Sequence, residues 1–166
     1  MGDALGTSTW TVTLRDTTSE TASKTFTLIY SADGYPYKTS AIDAVDPWDF
    51  YTRECTSYVA WRLNVDGIPF TNSYEFPNST PPNGWHNAVN WKSAALDIGL
   101  TVDNTPAVGA VAWFGTSVGP AGHVAYVSSI TSNGNIVLEE YNYLTAYTYD
   151  TRTISSSSVG AFIHFH

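Results

Sequence analysis

ECTSYVAWRLN, residues 54–64, is the stretch that decides the fold. Cys55, Val59 and Leu63 recur every four residues, with Tyr58 and Arg62 in the adjacent rows. That spacing is one face of an amphipathic helix carrying Cys55 in its first turn. Asp66-Gly67 just beyond supplies a stop. Outward from this helix, residues 66–84 hold four of the eight prolines and read as a long surface loop. A second helix is predicted over Asn87–Ile98, with Ala88, Trp91, Ala95 and Ile98 on one face and Gly99 past its end. Five short strands follow: Val108–Phe114, His123–Ile130, Ile136–Asn142, Thr148–Ile154 and Ala161–Phe165, with Asn133-Gly134 as a tight hairpin turn. Helices first and a meander of strands after predict an α+β domain, the Cys-bearing helix packed on an antiparallel sheet of about five to six strands.

Ahead of this domain, residues 10–14 (WTVTL) and 25–30 (TFTLIY) alternate apolar and polar residues around the polar stretch RDTTSETASK. They read as a β-hairpin. The pair resembles the closing hairpin of bacterial immunoglobulin-like domains, and it could equally pack on the main domain. The expected division is therefore 1–33, a hairpin extension or the remnant of a preceding Ig-like domain, and 34–166. Residues 31–49 are rich in Gly, Pro and Asp and form the linker.

With 43% hydrophobic and 13% charged residues, the chain has the composition of a folded domain. Its net charge of −8, with no basic stripe, argues against nucleic acid and against anionic membrane surfaces as partners. No apolar run approaches the roughly 20 residues of a spanning helix. No basic segment followed by an apolar one opens the sequence, so a signal peptide is not expected within it. The abundance of Thr, Ser and Asn is common in exported bacterial proteins, and a monomer is expected.

One cysteine excludes an internal disulfide and a multi-Cys zinc site. A lone Cys is ordinarily a small buried hydrophobe. A thiol at a helix start has two advantages. Unpaired N–H groups there favour thiolate over thiol and can donate to an oxyanion. A nucleophilic Cys also needs an imidazole. His123 begins a strand directly after Gly119, Pro120, Ala121 and Gly122, well placed to face a cleft. His164 and His166 read as edge-strand or tail residues, and His86 beside Trp85 as a cleft residue without a role. A polar group must then orient the imidazole. In IVLEEYNY, alternation puts Ile136, Leu138, Glu140 and Asn142 on one face and Glu139 on the other. The hairpin brings Glu140 and Asn142 opposite the start of the His123 strand. Trp48, Trp85, Trp91 and Trp113 are cleft or core residues, with core packing expected for at least two.

Five ordered blocks, ECTSYVAWRL, WHNAVNW (85–91), PAVGAVAWF (106–114), GHVAYV (122–127) and EYNY (140–143), resemble the CHAP domain over about residues 35–166. These are cysteine- and histidine-dependent amidohydrolases/peptidases of the papain-like (NlpC/P60-like) group. The resemblance implies hydrolysis of bacterial peptidoglycan, outside the cell or in the wall. The bond is either the N-acetylmuramoyl–L-alanine amide or a peptide bond of the stem or cross-bridge. It makes Cys55 the nucleophile, His123 the general base, Glu140 the orienting acid and Asn142 a supporting residue. Trp85, His86 and Asn87 would border the substrate. Many members carry Gln where this chain has Glu54, which leaves the oxyanion to backbone N–H groups. No cofactor is implied for the chemistry. Some phage members hold calcium through acids ahead of the Cys. Here Asp43, Asp46 and Asp49 are spaced by three, and Trp48 stands where a second ligand is needed, so they read as loop and turn residues. The alternative is a catalytically silent wall-binding or adhesion module of the same fold, suggested by the hairpin, the acidic surface and Glu54. A protease of the same fold acting on non-wall peptides ranks below both.

Overall fold

The computed structural model describes residues 5–15, 21–31, 33–76 and 84–166, without the side chains of the first two segments. These fall into two compact units, Met1–Gly34 and Tyr35–His166. The first holds strands β1 (Leu5–Arg15) and β2 (Thr21–Ser31), antiparallel, with Trp10 opposite Phe26 and Arg15 opposite Thr21. Both strands run past the predicted 10–14 and 25–30, because the flanking Thr and Ser residues suit a strand as well as a turn. The connection through 16–20 lies outside the described residues.

The second unit is α+β. Helix α1 (Cys55–Val65) starts where Glu54 is extended, at φ −94° and ψ 159°. It ends in a Schellman motif: Gly67, at φ +89°, donates its N–H to Asn64 O, and Ile68 donates to Leu63 O. Tyr58, Val59, Ala60 and Leu63 are fully buried. Burying each of the larger ones contributes roughly 1.5–3 kcal/mol. Polar contacts then set the helix on the sheet. Arg62 pairs with Glu139, and Tyr58 Oη donates to the same carboxylate at 3.1 Å.

The sheet has six antiparallel strands: β3 (Thr101–Asp103), β4 (Val111–Trp113), β5 (Val124–Ile130), β6 (Asn135–Tyr141), β7 (Tyr149–Ser155) and β8 (Ala161–His164). Their spatial order is β3-β8-β4-β5-β6-β7. Val111, Val124, Tyr126, Tyr141 and Ile163 join the core formed with the helices. Alternate residues, among them Ala112, Phe114, Ala125, Ile136, Leu138 and Phe162, form a second core.

Three expectations are corrected. The second helix opens with a 3-10 turn at Ala88–Asn90, and its α-helical part, α2, covers only Trp91–Asp97. The strand expected over Val108–Phe114 shrinks to β4, since Gly109 sits at φ +87° and turns the chain. The last strand does not extend the meander beyond β7. It returns between β3 and β4, so His164 lies on an interior strand, its Nε2 3.1 Å from Asp103 Oδ1. Strand β3 escaped the sequence because three residues are too short to show alternation. The predicted loop 66–84 is turn and coil over 66–76, and residues 77–83 lie outside the described residues.

Candidate active site

Cys55 is the first residue of α1, where N–H groups lack intrahelical partners. Glu54, the residue before it, makes no side-chain cap to those groups. The thiol is free and 8% exposed.

His123 arrives from the opposite side, at the mouth of β5. Its approach depends on Gly122, which sits at φ +75°. A Cβ on Gly122 would lie 2.5 Å from the Val89 backbone nitrogen, and Val89 N–H donates to Ala121 O at 2.8 Å. The loop before His123 is thus pressed onto the Ala88–Asn90 turn, a fit that only glycine allows. Gly122→Ala is expected to cost about 1–3 kcal/mol through the left-handed backbone and the clash. Thermal unfolding checks this, and an unchanged Tm would mean the turn yields freely.

The imidazole packs on two aromatic rings, Phe114 at 5.7 Å and Tyr143 at 4.9 Å between centroids. Its Nε2 is 2.7 Å from Glu140 Oε2. That leaves Nδ1 for the Cys55 side chain, which lines the same cleft and interacts electrostatically with the ring. Burial disfavours the imidazolium, but the facing Cys55 sulfur as thiolate and Glu140 outweigh burial and push His123 up to about 9. Glu140 is fully buried. Burial would push its carboxyl up, yet the hydrogen bonds and charges of His123 and Arg152 hold it below the usual range. Arg152, on β7, donates through Nε to Glu140 Oε1 and through Nη2 to Oε2 at 3.0 Å.

The sequence reading brought Cys55, His123 and Glu140 together, and so does the structure. Asn142 is in the same cleft but serves a different partner. The chain turns left-handed there, at φ +60°, which ends the alternation of β6 one residue too early for Asn142 to follow Glu140. Its Nδ2 donates to Glu54 Oε2 at 2.6 Å, and its Oδ1 accepts from Tyr147 N at 2.9 Å. Arg53 Nε closes the circuit on Tyr147 O at 3.0 Å. This clasp ties the approach to α1 to the loop after β6. Burial, outweighing the Asn142 bond, and the charge of nearby Asp43 push the Glu54 carboxyl up.

Cys55 and His123 open on a cleft of about 650 Å³, whose walls include Tyr51, Asn87, Asn142 and Tyr143, with Glu140 buried behind the imidazole. Of the residues expected to border substrate, Asn87 lies on this wall and two do not. Trp85 is a core residue, fully buried against Phe70 and Trp91, its indole N–H donating to Tyr74 O at 2.9 Å. His86 is half-buried, and its backbone N–H donates to Asn72 Oδ1 at 2.6 Å. Trp91 is buried too, and Trp48 and Trp113 pack partly buried on the core. The cleft aromatics are tyrosines, which no periodicity distinguished from the other nine. Arg152 was also missed. Its signal was faint: alternation along YDTRTIS puts Asp150 and Arg152 on one face, opposite Glu140 and Leu138.

Of the acids ahead of Cys55, Asp46 is engaged within the protein. Asp46 is buried and its oxygens are spent: Oδ1 accepts from the N–H groups of Trp48 and Phe50 at 2.8 and 2.9 Å, and Oδ2 from Ser57 Oγ. Tyr35 bonds the same Ser57. The carboxylate therefore fastens the loop to α1. Among the described residues no three His, Cys, Asp or Glu side chains form a metal-binding group.

The crystal structure of an N-acetylmuramoyl-L-alanine amidase from Staphylococcus aureus superimposes with a TM-score of 0.56 at 24% identity, over 78% of this chain and 36% of that one. Its fold agrees with the papain-like α+β arrangement. Staphylococcal secretory antigen SsaA of Staphylococcus aureus is 45% identical over 83 residues, 49% of this chain and 32% of that protein. The SsaA of Staphylococcus epidermidis is 46% identical over the same length. This chain thus spans about a third of the curated relatives it matches. The model of the CHAP domain matches residues 45–142, more than half of the chain, from the loop that Asp46 fastens to the clasp at Asn142, and the chain belongs to that family.

Proposed function

We propose that this chain is a peptidoglycan hydrolase that cuts an amide bond by a Cys-His-Glu mechanism. The observation that carries the reading is the Cys55–His123–Glu140 grouping, a helix-start thiol sharing a cleft with an imidazole that is braced from behind by a buried carboxylate. The amidase named among the structural neighbours and the secretory antigens among the sequence relatives support a wall substrate outside the cell. Either the N-acetylmuramoyl–L-alanine amide or a stem or cross-bridge peptide bond fits the chemistry. The hairpin ahead of Tyr35 is read as an extension or the end of a preceding module.

In the mechanism, the Cys55 thiolate attacks the amide carbon, and the carbonyl electrons move onto oxygen. N–H groups at the start of α1 meet that oxyanion. As the C–N bond breaks, the imidazolium of His123 protonates the leaving amine, which departs and leaves a thioester. Neutral His123 then takes a proton from water, the hydroxide adds to the thioester, and the acid leaves with Cys55 restored as thiolate. Glu140 acts through His123, fixing the ring and offsetting its charge. Asn142 acts through Glu54, holding the approach to the nucleophile.

Mass spectrometry of fragments released from purified peptidoglycan of known composition tests the reading and identifies the bond. A free lactyl carboxylate on muramic acid with a free amine on L-alanine marks the amidase, and new termini within the stem or cross-bridge with the lactyl amide intact mark the endopeptidase. No release at all from wall of any composition would overturn it. The pH profile adds a second check. His123 keeps its proton below about 9 and loses it as pH rises through that value, so hydrolysis should fall there. Alkylation of Cys55 by iodoacetamide needs only the thiolate and should persist above it. A decline of hydrolysis centred near the ordinary histidine value would mean that the ion pair does not form.

A further inference from the structure

The guanidinium of Arg152 meets three groups that also meet the His123 imidazole: Glu140, Tyr143 and Phe114. It holds Glu140 with two donors, Nε to Oε1 and Nη2 to Oε2 at 3.0 Å. Its Cζ lies 3.6 Å from the centre of the Tyr143 ring and 5.2 Å from that of Phe114. Those are the same two rings that pack on His123. The imidazole and the guanidinium therefore share two aromatic walls and one carboxylate. Only 14% of the Arg152 side chain is exposed, and on the neighbouring strand it stands two places along from the residue opposite Glu140.

We propose that Arg152 is a positioning residue of this site, fixing Glu140 against His123 and fixing Tyr143 as the cleft-side wall of the ring. The inference rests on the hydrolase reading above and deepens it. Its physical basis is the permanence of the arginine charge. Glu140 sits where a carboxylate with one counterion would draw the proton off that counterion, giving a neutral acid and a neutral imidazole. A second cation that never deprotonates removes that exchange. The proton then stays on His123, where the leaving amine needs it. The fork geometry also fixes both carboxylate oxygens, so that Oε2 points at Nε2.

Other charges around the pair are few. Cys55 and Glu54 face His123 from the start of α1, Glu140 from β6, and Tyr143 from the loop after it. Asp150, directly opposite Glu140 on β7, is a second carboxyl near the guanidinium. Burial and the Glu140 charge push it up to about 6, and its Oδ2 accepts from Leu144 N at 3.0 Å, so it is committed to the loop.

The test uses Arg152→Met, which removes charge and donors, and Arg152→Lys, which keeps the charge without the fork. Rates are measured against the concentration of purified peptidoglycan across pH. Arg152→Met should lower kcat roughly ten- to a hundredfold, the size expected for lost charge-assisted hydrogen bonds. Half-saturation should stay near wild type, and the alkaline limb should move above its wild-type position, because the Glu140–His123 pair holds its last proton more tightly without the neighbouring cation. Arg152→Lys should restore the limb and part of kcat. A variant that loses Tm but keeps the wild-type limb, with kcat within about twofold, marks a merely structural arginine and overturns the proposal. If Arg152→Met does not fold, Arg152→Lys decides: lowered kcat at unchanged half-saturation supports the role, and wild-type kinetics overturn it. If the wild-type protein releases nothing from any wall, the hydrolase reading fails by itself. Iodoacetamide alkylation of Cys55 near neutral pH then reports on Arg152, slower in Arg152→Met if the arginine sustains the imidazolium and unchanged if it does not.

Discussion

Cys55→Ala should bring release of wall fragments to background, a loss on the order of 10⁴-fold or more, as for other enzymes stripped of a nucleophile. Nothing else in the cleft can replace the sulfur: the chain has one cysteine. The residues beside it, Glu54 and Thr56, present a carboxyl held by Asn142 and an alcohol without an imidazole of its own. The fold should survive, because the change deletes one small atom at a site already 8% exposed. Thermal unfolding of the variant should match wild type within the cost of a small core truncation, about 1 kcal/mol. Turbidity of purified walls and muropeptide mass spectrometry read the activity. Equal lysis by Cys55→Ala and wild type would sink the mechanism. The alternative of a silent wall-binding module is separated by the wild-type thiol itself. An activated thiolate is alkylated stoichiometrically near neutral pH, and a merely buried thiol is not.

Glu140→Ala should damage rate and stability together. The rate falls because His123 loses the acceptor that sets its ring and shares its charge; a loss of about 10²–10⁴-fold is the range for a general acid–base group deprived of its function. Stability falls because Arg152 and, when protonated, His123 are left beside a hole with no anion. Removing one partner of a buried ion pair typically costs about 3–5 kcal/mol. Glu140→Gln keeps the shape and should lose less stability while still losing rate, since an amide cannot carry the charge. The pH dependence of this contribution has a definite sign. Glu140 is held below its ordinary range in the folded chain, so its stabilisation is complete above the unfolded carboxyl pKa. It disappears as the pH falls through the lower, folded value. Urea unfolding at several pH values measures both effects. A Glu140→Ala protein that unfolds like wild type and retains its rate would show that the carboxylate does not brace the ring.

How far the sequence reached follows from what kind of signal each residue leaves. Cys55 at a helix start, His123 at a strand start and Glu140 on the apolar face of the next strand were all legible, because each depends on a local period and one short hairpin. Glu139 and Glu140 are adjacent, yet alternation alone sends one to α1 and the other to His123. Asn142 shares the letter pattern of that face but not its direction, since the strand ends one residue before it. Trp85 resembled a cleft residue from its neighbours in sequence, whereas the core claimed the largest apolar ring available.

The chain by itself determined the α+β class, the Cys55 helix, the hairpin that aligns Glu140 with His123 and the family these blocks signal, since all follow from periods of two and four residues and from a two-residue turn. Only the tertiary structure decided that β8 returns between β3 and β4, that Arg152 closes on Glu140, that Asn142 holds Glu54 and that tyrosines rather than tryptophans wall the cleft. Those outcomes rest on contacts between residues far apart in the chain, chosen by competition for burial and for counterions. No local period records that competition.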